Sequence, residues 1–443
     1  MDLDRKALGE QLRQLRKSKN LIIKDIDSMG LSGASASKIE NGHPSVGLKM
    51  IKKYCGILGF DFSKSPMLDT QTVEKDQDKP LKLKLLIIEN MIRDNHPKLA
   101  LEKLKELDLH PSHPLKATQH FLRAKIYLLK GNVNEAENYF EKAIQSIENH
   151  PEYALKSNIK ANAFVELGSI EYKKSNFTNA LKFAKRAEES FIDNGMRKFL
   201  KHVILMNQAV YLELLNKNEK AQDILNNLKN EVHQIEHVDV ILNMYDVNAI
   251  LRKKSGQYRK AIESIEKGLE IAIQNNKHGR AGELWKTLGI ITKSMHKNSL
   301  AIGYLETAKF LLSHHNKKHQ LIVVDKELAE IYNQQKKWRK AKNLLQSSLA
   351  NIDISKTHIL RYIQAKLTIG ISCYHLKEYE EANEHFEQAL KLSKKHNLRN
   401  LEYKTILELG KLLKETDQNM YNQNLNELFR LAVELDEGGE INE

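Results

Sequence analysis

An amide both donates and accepts hydrogen bonds, so a row of amides can hold an extended peptide backbone whatever side chains that peptide carries. Asn162, Asn207 and Asn243 form such a row in this sequence. Asn248 and Asn333 lie close to the same register, and Lys286, Lys326 and Gln364 continue it with charge or amide. Any one of these is also an ordinary solvated residue of an asparagine-rich chain; what marks them is recurrence in successive units of the sequence.

A second set lies near the amino terminus, in "LSGASASKIENGHPS" (Leu31 to Ser45). Ser32, Gly33, Ala34, Ser35, Ser37 and Lys38 share this stretch with His43, and Arg16, Lys17, Lys19 and Lys24 precede it. Cations around a patch of small side chains suit a surface laid against double-stranded DNA, where charge neutralises phosphates and short residues permit close approach to the bases.

Catalysis has no comparable signature. The chain carries no phosphate-cradling glycine loop, no zinc-spaced Cys/His set and no nucleophile motif, so neither an enzyme nor a cofactor is expected. "SHHNKKH", Ser313 to His319, is the one histidine cluster, and it lacks cysteine or carboxylate company, so no metal is expected either. Cys55 and Cys373 fall on apolar helical faces far apart in the chain and read as small buried hydrophobes.

The elements that must position these residues follow from composition and period. Hydrophobic residues make up 41% and charged residues 29% of the 443, with only 7 prolines and 20 glycines, which predicts an all-α chain. That length exceeds one ordinary core, so modules or a repeat array are required. The net charge of +13 permits an anionic partner. No apolar run approaches the ~18 to 20 residues that span a bilayer, so the expected protein is cytoplasmic and makes no membrane contact.

Residues 1–65 predict four helices. Leu8, Leu12 and Leu15 mark the first, which stops at Asn20; "IIKDIDSMG" gives a second that ends at Gly30. The third starts after Ser32 as N-cap and runs through Ile39 to Asn41-Gly42, and Pro44 opens a fourth in "PSVGLKMIKKYCGILG". Gly30, Leu31, Ser32, Ser37, Lys38, Ile39, Glu40 and Gly42 resemble the Xre/Cro type of helix-turn-helix DNA-binding domain, over about fifty-five residues. Two departures bear on function. Ile22 and Ile23 stand where that family places a serine cap and a glutamine, and Gly33 and Ala34 stand where a long polar residue usually opens the reading helix. Base readout would then fall to Ser35, with Ala34 or Ala36 touching a thymine methyl. Affinity would come from phosphate contacts by Arg16, Lys17, Lys19, Lys24, Lys38 and His43, and selectivity partly from DNA shape. Twelve Lys/Arg against seven Asp/Glu in these residues suit that reading, while a degenerate module that mediates only protein contacts remains the alternative.

"SKSPMLDTQTVEKDQDKP" lacks apolar periodicity, which predicts a linker over 66–80. From residue 81 to 435 the chain repeats itself. A small residue recurs at 124, 168, 209, 249, 289, 329 and 370, each followed twelve residues on by an alanine, at intervals of 40 to 44 residues. Phe177, Tyr258, Trp338 and Tyr379 occupy equivalent places between the two helices of a unit. Tetratricopeptide-like (TPR) units with lengthened helices explain the pattern, because two antiparallel helices cross closely only at small residues. Weaker copies flank them at Leu81 to Leu107 and Thr405 to Ala432, giving eight or nine repeats before a tail at 436–443. Such units build a right-handed superhelix whose concave groove is lined by each first helix.

A helix-turn-helix followed by long TPR-like repeats resembles the peptide-sensing regulators of Gram-positive bacteria, the Rgg/Rap/NprR/PlcR/PrgX (RRNPP) group, with a layout most similar to NprR. The resemblance implies a homodimer whose repeat domain binds a short signalling peptide and so controls operator binding, a quorum-sensing transcription regulator. A scaffold that binds and inhibits a protein partner, as phosphatase-type members of the group do, is the alternative and needs no DNA contact.

Overall fold

The computed structural model describes residues 5–43, 46–62, 79–107, 109–150, 157–315, 317–350 and 359–437. Every regular element among them is helical, as the composition predicts. Of the predicted linker, 66–78 lies outside the described residues, as do Pro44 and residues 438–443 of the predicted tail. The chain divides into two compact units, 1–129 and 130–443.

The first unit opens with α1 (Arg5–Ser18), α2 (Ile23–Ser28), α3 (Gly33–Glu40) and α4 (Leu48–Ile57). Leu8, Leu12, Ile26, Leu31, Ala36, Ile39, Tyr54 and Leu58 form their shared core. Asn20, Gly30 and Gly42 take positive φ of 53°, 92° and 68° at the helix ends, where the sequence places its stops. Gly9 marks the closest crossing: a Cβ there would lie 2.5 Å from the Glu40 carbonyl oxygen, so only glycine lets α1 lie against the end of α3. Three further helices complete the unit, α5 (Lys79–Arg93), α6 (Pro97–Lys105) and α7 (Lys116–Leu129), with Pro97 in the first turn of α6.

The second unit begins with α8 (Val133–Asn149), which packs on α9, and continues as seven antiparallel pairs. These are α9 (Ile159–Lys173) with α10 (Phe177–Glu189), α11 (Leu200–Leu214) with α12 (Asn218–Asn230), and α13 (Val238–Lys254) with α14 (Tyr258–Gln274). Then come α15 (His278–Ser294) with α16 (Asn298–His314), α17 (Lys318–Gln334) with α18 (Trp338–Leu349), α19 (Ile359–His375) with α20 (Tyr379–Lys395), and α21 (Arg399–Thr416) with α22 (Gln418–Glu437). This is the TPR-like superhelical repeat the period predicts.

Small residues do the work assigned to them. Ala209, Ala249 and Ala329 are fully buried, and a Cβ on Gly370 would lie 2.5 Å from the Phe386 ring of the paired helix. The interhelical aromatics open their second helices and bridge neighbours: Trp338 stacks on His375 of the next pair, with ring centres 4.0 Å apart. Each first helix from α9 to α19 ends in a left-handed residue, Ser175, Asn216, Gly256, His296, Lys336 and Lys377. In the last pair a Cβ on Gly410 would meet Asn424, two residues earlier than the register of Gly370 with Phe386, because one residue, Asp417, joins α21 to α22.

Candidate functional site

In the first unit α3 exposes Ser32, Ala34 and Lys38, and half-exposes Gly33, Ser35 and Ser37; Lys17, Lys19, Lys24 and His43 are exposed around it. Local bonds already engage all three hydroxyls, Ser37 Oγ accepting from Asn41 Nδ2 at 3.5 Å. Ser32 Oγ accepts from the Ser35 amide at 3.3 Å, the expected cap, and donates to Ser35 Oγ at 2.8 Å. Gly33 opens the helix against α2, its amide donating to Asp27 Oδ1 at 2.5 Å. Two expectations are corrected here. Ala36 is fully buried in the helical core and cannot reach a base. Arg16 is only 7% exposed and grips Glu40 through Nε–Oε1 (2.7 Å) and Nη2–Oε2 (3.0 Å), with Nη1 on the Leu21 carbonyl, so its charge is spent inside the module and does not reach a phosphate. Tyr54 donates to the same carboxylate at 2.6 Å and Arg13 at 3.3 Å. Burial alone would raise the Glu40 carboxyl, but the bonds from Arg16, Tyr54 and Arg13 outweigh it and hold it below the usual carboxylate range.

The second unit contains a pocket of about 250 Å³ walled by first helices from six pairs. Tyr172 ends α9, Leu214 ends α11, Ile250 and Lys253 come from α13, Lys286 and Ile290 from α15, Val323 from α17, and Leu360, Arg361 and Gln364 from α19. Ser175 and Phe177, in and after the first turn, close one end. The groove predicted to be lined by first helices is therefore formed here, and Lys286 and Gln364 face it.

The remaining candidates divide. Asn162, on α9, is 9% exposed and Asn207, on α11, is half-buried; neither amide has a side-chain hydrogen-bond partner among the described residues. The Gln364 amide is likewise unengaged there. Three candidates are occupied within the repeat and do not offer a free amide: Asn243 Oδ1 accepts from Arg280, Asn248 donates to Ser264 Oγ (3.1 Å) on its own second helix, and Asn333 accepts from Ser372 (3.0 Å) of the next pair. Lys326 is also spoken for, bridging Glu327 (3.0 Å) and Glu330 (2.8 Å), which Lys293 shares. An asparagine one helical position away from the groove serves the stack itself, which spacing alone does not reveal.

Sequence reasoning missed the electrostatics of the pocket. Lys286 Nζ donates to Gln320 Oε1 at 3.0 Å, and Arg361 Nη1 to the His319 carbonyl at 3.2 Å, with the Tyr172 hydroxyl in hydrogen-bonding reach of the same guanidinium. Desolvation pushes the Lys286 ammonium down to about 8, with Asp246 and Glu327 pulling the other way and Arg361 and Arg280 adding to the fall. It lowers Lys253 and Arg361 too. No carboxylate lies within ion-pair distance of Lys253, Lys286 or Arg361 among the described residues.

Cys373, Glu381 and His385 bring donor atoms within 4.8 Å of one another across α19 and α20, a trio that spans two helices and has no sequence spacing to betray it. Lys342 sits on Glu381 at 2.5 Å and Lys366 lies 3.4 Å from His385, so ammonium groups already occupy the place of a cation. In the histidine cluster, His314 contacts the Phe310 carbonyl and His315 stacks on His278. Both cysteines are buried and free, and no helix among the described residues is long and apolar enough to cross a membrane.

Known proteins match this chain in part. Tetratricopeptide-repeat families match residues 120–150 and 320–395. The transcription activator GutR of Bacillus subtilis (strain 168) is 24% identical over 171 residues, 39% of this chain and 19% of GutR, so the match spans about a fifth of that relative's length. A Rap protein complexed with competence and sporulation factor superposes with a TM-score of 0.58 at 15% identity, covering 81% of this chain and 99% of that one. The apo form of RapI gives 0.50 at 15% identity, covering 82% and 99%. At these identities the shared property is the fold.

Proposed function

We propose that the protein is a cytoplasmic transcription regulator, a homodimer whose repeat unit binds a short signalling peptide and whose amino-terminal helix-turn-helix binds an operator in double-stranded DNA. One observation carries the peptide half of this reading: the pocket joins first helices of six pairs, with the unengaged amides of Asn207 and Asn162 on the same series of helices. A ligand that touches several pairs at once favours one superhelical pitch over others, and differential binding of that kind shifts a conformational equilibrium. The spacing of two half-sites on DNA then detects the change in a dimer. The match to a transcription activator and the likeness in fold to a Rap protein complexed with competence and sporulation factor support the pairing of regulation with a ligand groove.

DNA contact in this reading rests on Lys17, Lys24, Lys38 and His43, with Ala34, Ser35 and Ser37 facing the bases. The short reading helix favours close approach and shape over a dense set of base-specific bonds. That same shortness is what a scaffold for a protein partner would retain, with the groove or the helix-turn-helix turned to protein contacts. Lys38→Ala and Asn207→Ala separate the two. In the regulator, Lys38→Ala weakens DNA binding across sequences and flattens its salt dependence, whereas Asn207→Ala spares DNA binding and costs peptide response. If both variants leave DNA occupancy and peptide response at wild-type levels, these residue roles are wrong.

A further inference from the structure

We infer that the pocket recognises a carboxylate borne by the bound peptide, with Lys286 and Arg361 as paired cations, Ser175 as hydroxyl donor, and Ile250, Ile290 and Leu360 holding the adjoining apolar side chain. The inference rests on the peptide-binding reading above and adds the chemistry of the group bound.

Cations of the superhelix differ in their partners. Lys254, Lys293, Lys326 and Lys342 each meet a carboxylate at 3.0 Å or less. Lys286 and Arg361 have only neutral partners, an amide oxygen, a carbonyl and a phenol. Lys253, on the same wall, adds a third cation with no carboxylate within ion-pair distance among the described residues. Lys253, Lys286 and Arg361 are half-buried, and desolvated cations without a counter-ion are costly to a fold, so their convergence on one cavity fits a site whose anion arrives with the ligand. Asp246 is the strongest balancing charge felt by Lys286, yet it forms no ion pair with it.

Ser175 supplies an independent observation. It is 8% exposed, lines this pocket, and its Oγ has no hydrogen-bond partner. A buried hydroxyl in that state is rare and has a donor to give. At about 250 Å³ the cavity is smaller than the roughly 300–1,000 Å³ of drug-sized sites, and it suits one residue of a peptide with the rest lying along the amides. A carboxylate flanked by an apolar side chain is offered by a free C-terminal residue, and also by an aspartate or glutamate within the chain.

Three pools of random hexapeptides, incubated with the full-length protein and analysed by affinity-selection mass spectrometry, test this. One pool has free carboxy termini, one is C-terminally amidated without Asp or Glu, and one is amidated but contains them. Enrichment from the first pool alone identifies a C-terminal carboxylate, and enrichment from the third identifies a side-chain carboxylate. Equal enrichment from the amidated pool lacking acids overturns the carboxylate inference while leaving peptide binding intact; no enrichment from any pool overturns both. For a selected acid peptide, Lys286→Met should weaken binding at least tenfold and Lys286→Arg should restore most of it. The thermal midpoint of the ligand-free Lys286→Met variant should hold or rise, because an uncompensated buried charge is gone; a fall in midpoint with binding unchanged assigns Lys286 to the fold and overturns its role here.

Discussion

Arg361 and Tyr172 meet across the groove although four helical pairs lie between the pair of α9 and the pair of α19. The superhelix therefore turns far enough in those pairs to bring the inner face of a late first helix back to an early one. Each pair contributes a small rotation, and the contact sums them.

The first prediction follows from that contact. Tyr172→Phe removes one hydrogen bond to a charged group and leaves every pair intact, so helical content should stay constant while stability falls by about 1 to 2 kcal/mol. Urea unfolding followed by circular dichroism reads both. An unchanged midpoint would show that packing alone brings the two ends of the groove together.

Stability should also carry the signature of Lys286. Its folded value is depressed to about 8 from an ordinary 10.5, so the unfolded chain binds the proton more tightly. Ligand-free protein should then gain stability from this group as pH rises from about 8 towards 10.5, and Lys286→Met should lack that gain. Parallel pH profiles for the two proteins would contradict the desolvated, unneutralised cation.

Arg16 is assigned to the interior of the amino-terminal module and away from phosphate. Removing one partner of a buried ion pair strands the other charge, so Arg16→Ala should destabilise the module by about 3 to 5 kcal/mol. DNA binding by the fraction that remains folded should keep the wild-type salt slope, whereas Lys38→Ala should reduce it by about one. Because the Glu40 carboxyl is held low, its contribution is present above the ordinary value of 4.5 and is lost as pH falls through the folded one. Acid unfolding monitored at the aromatic residues of the module checks the sign.

Backbone conformation offers a fourth test. Lys336 closes α17 with a φ of 59°, in the region that favours glycine. Lys336→Gly should therefore not destabilise the repeat and should raise its stability by up to about 1 kcal/mol. Gly9→Ala is the opposite case, since its Cβ would press on the backbone oxygens of Glu40 and Ile39. Loss of the folded module is expected there, visible as lost DNA binding at unchanged repeat-unit stability.

The repeat architecture was legible because its cause is local. Gly289, Ala329 and Gly370 must be small wherever two paired helices cross, and that need returns with every unit. The stops at Asn20, Gly30 and Gly42 were legible for the same reason. What faces the groove was harder to read. Asn207 and Asn248 look alike in sequence, yet one amide is unengaged and the other bonds Ser264 on the second helix of its pair, a difference of one helical position. Arg16 looked like its exposed neighbour Lys17, because an amphipathic pattern does not disclose a partner, Glu40, that arrives from a different helix. The pocket of Lys286 and Arg361 depends on accumulated pitch, which no single repeat encodes.

The central claim, that peptide in the groove controls DNA binding, is tested most directly by mixing the purified protein with genomic DNA fragments at two salt concentrations, with and without short peptides encoded beside its own gene. We predict that one locus is enriched, that the enrichment weakens at the higher salt, and that one peptide changes it. Enrichment of no locus under any of these conditions would contradict the regulator and leave the groove to a protein partner.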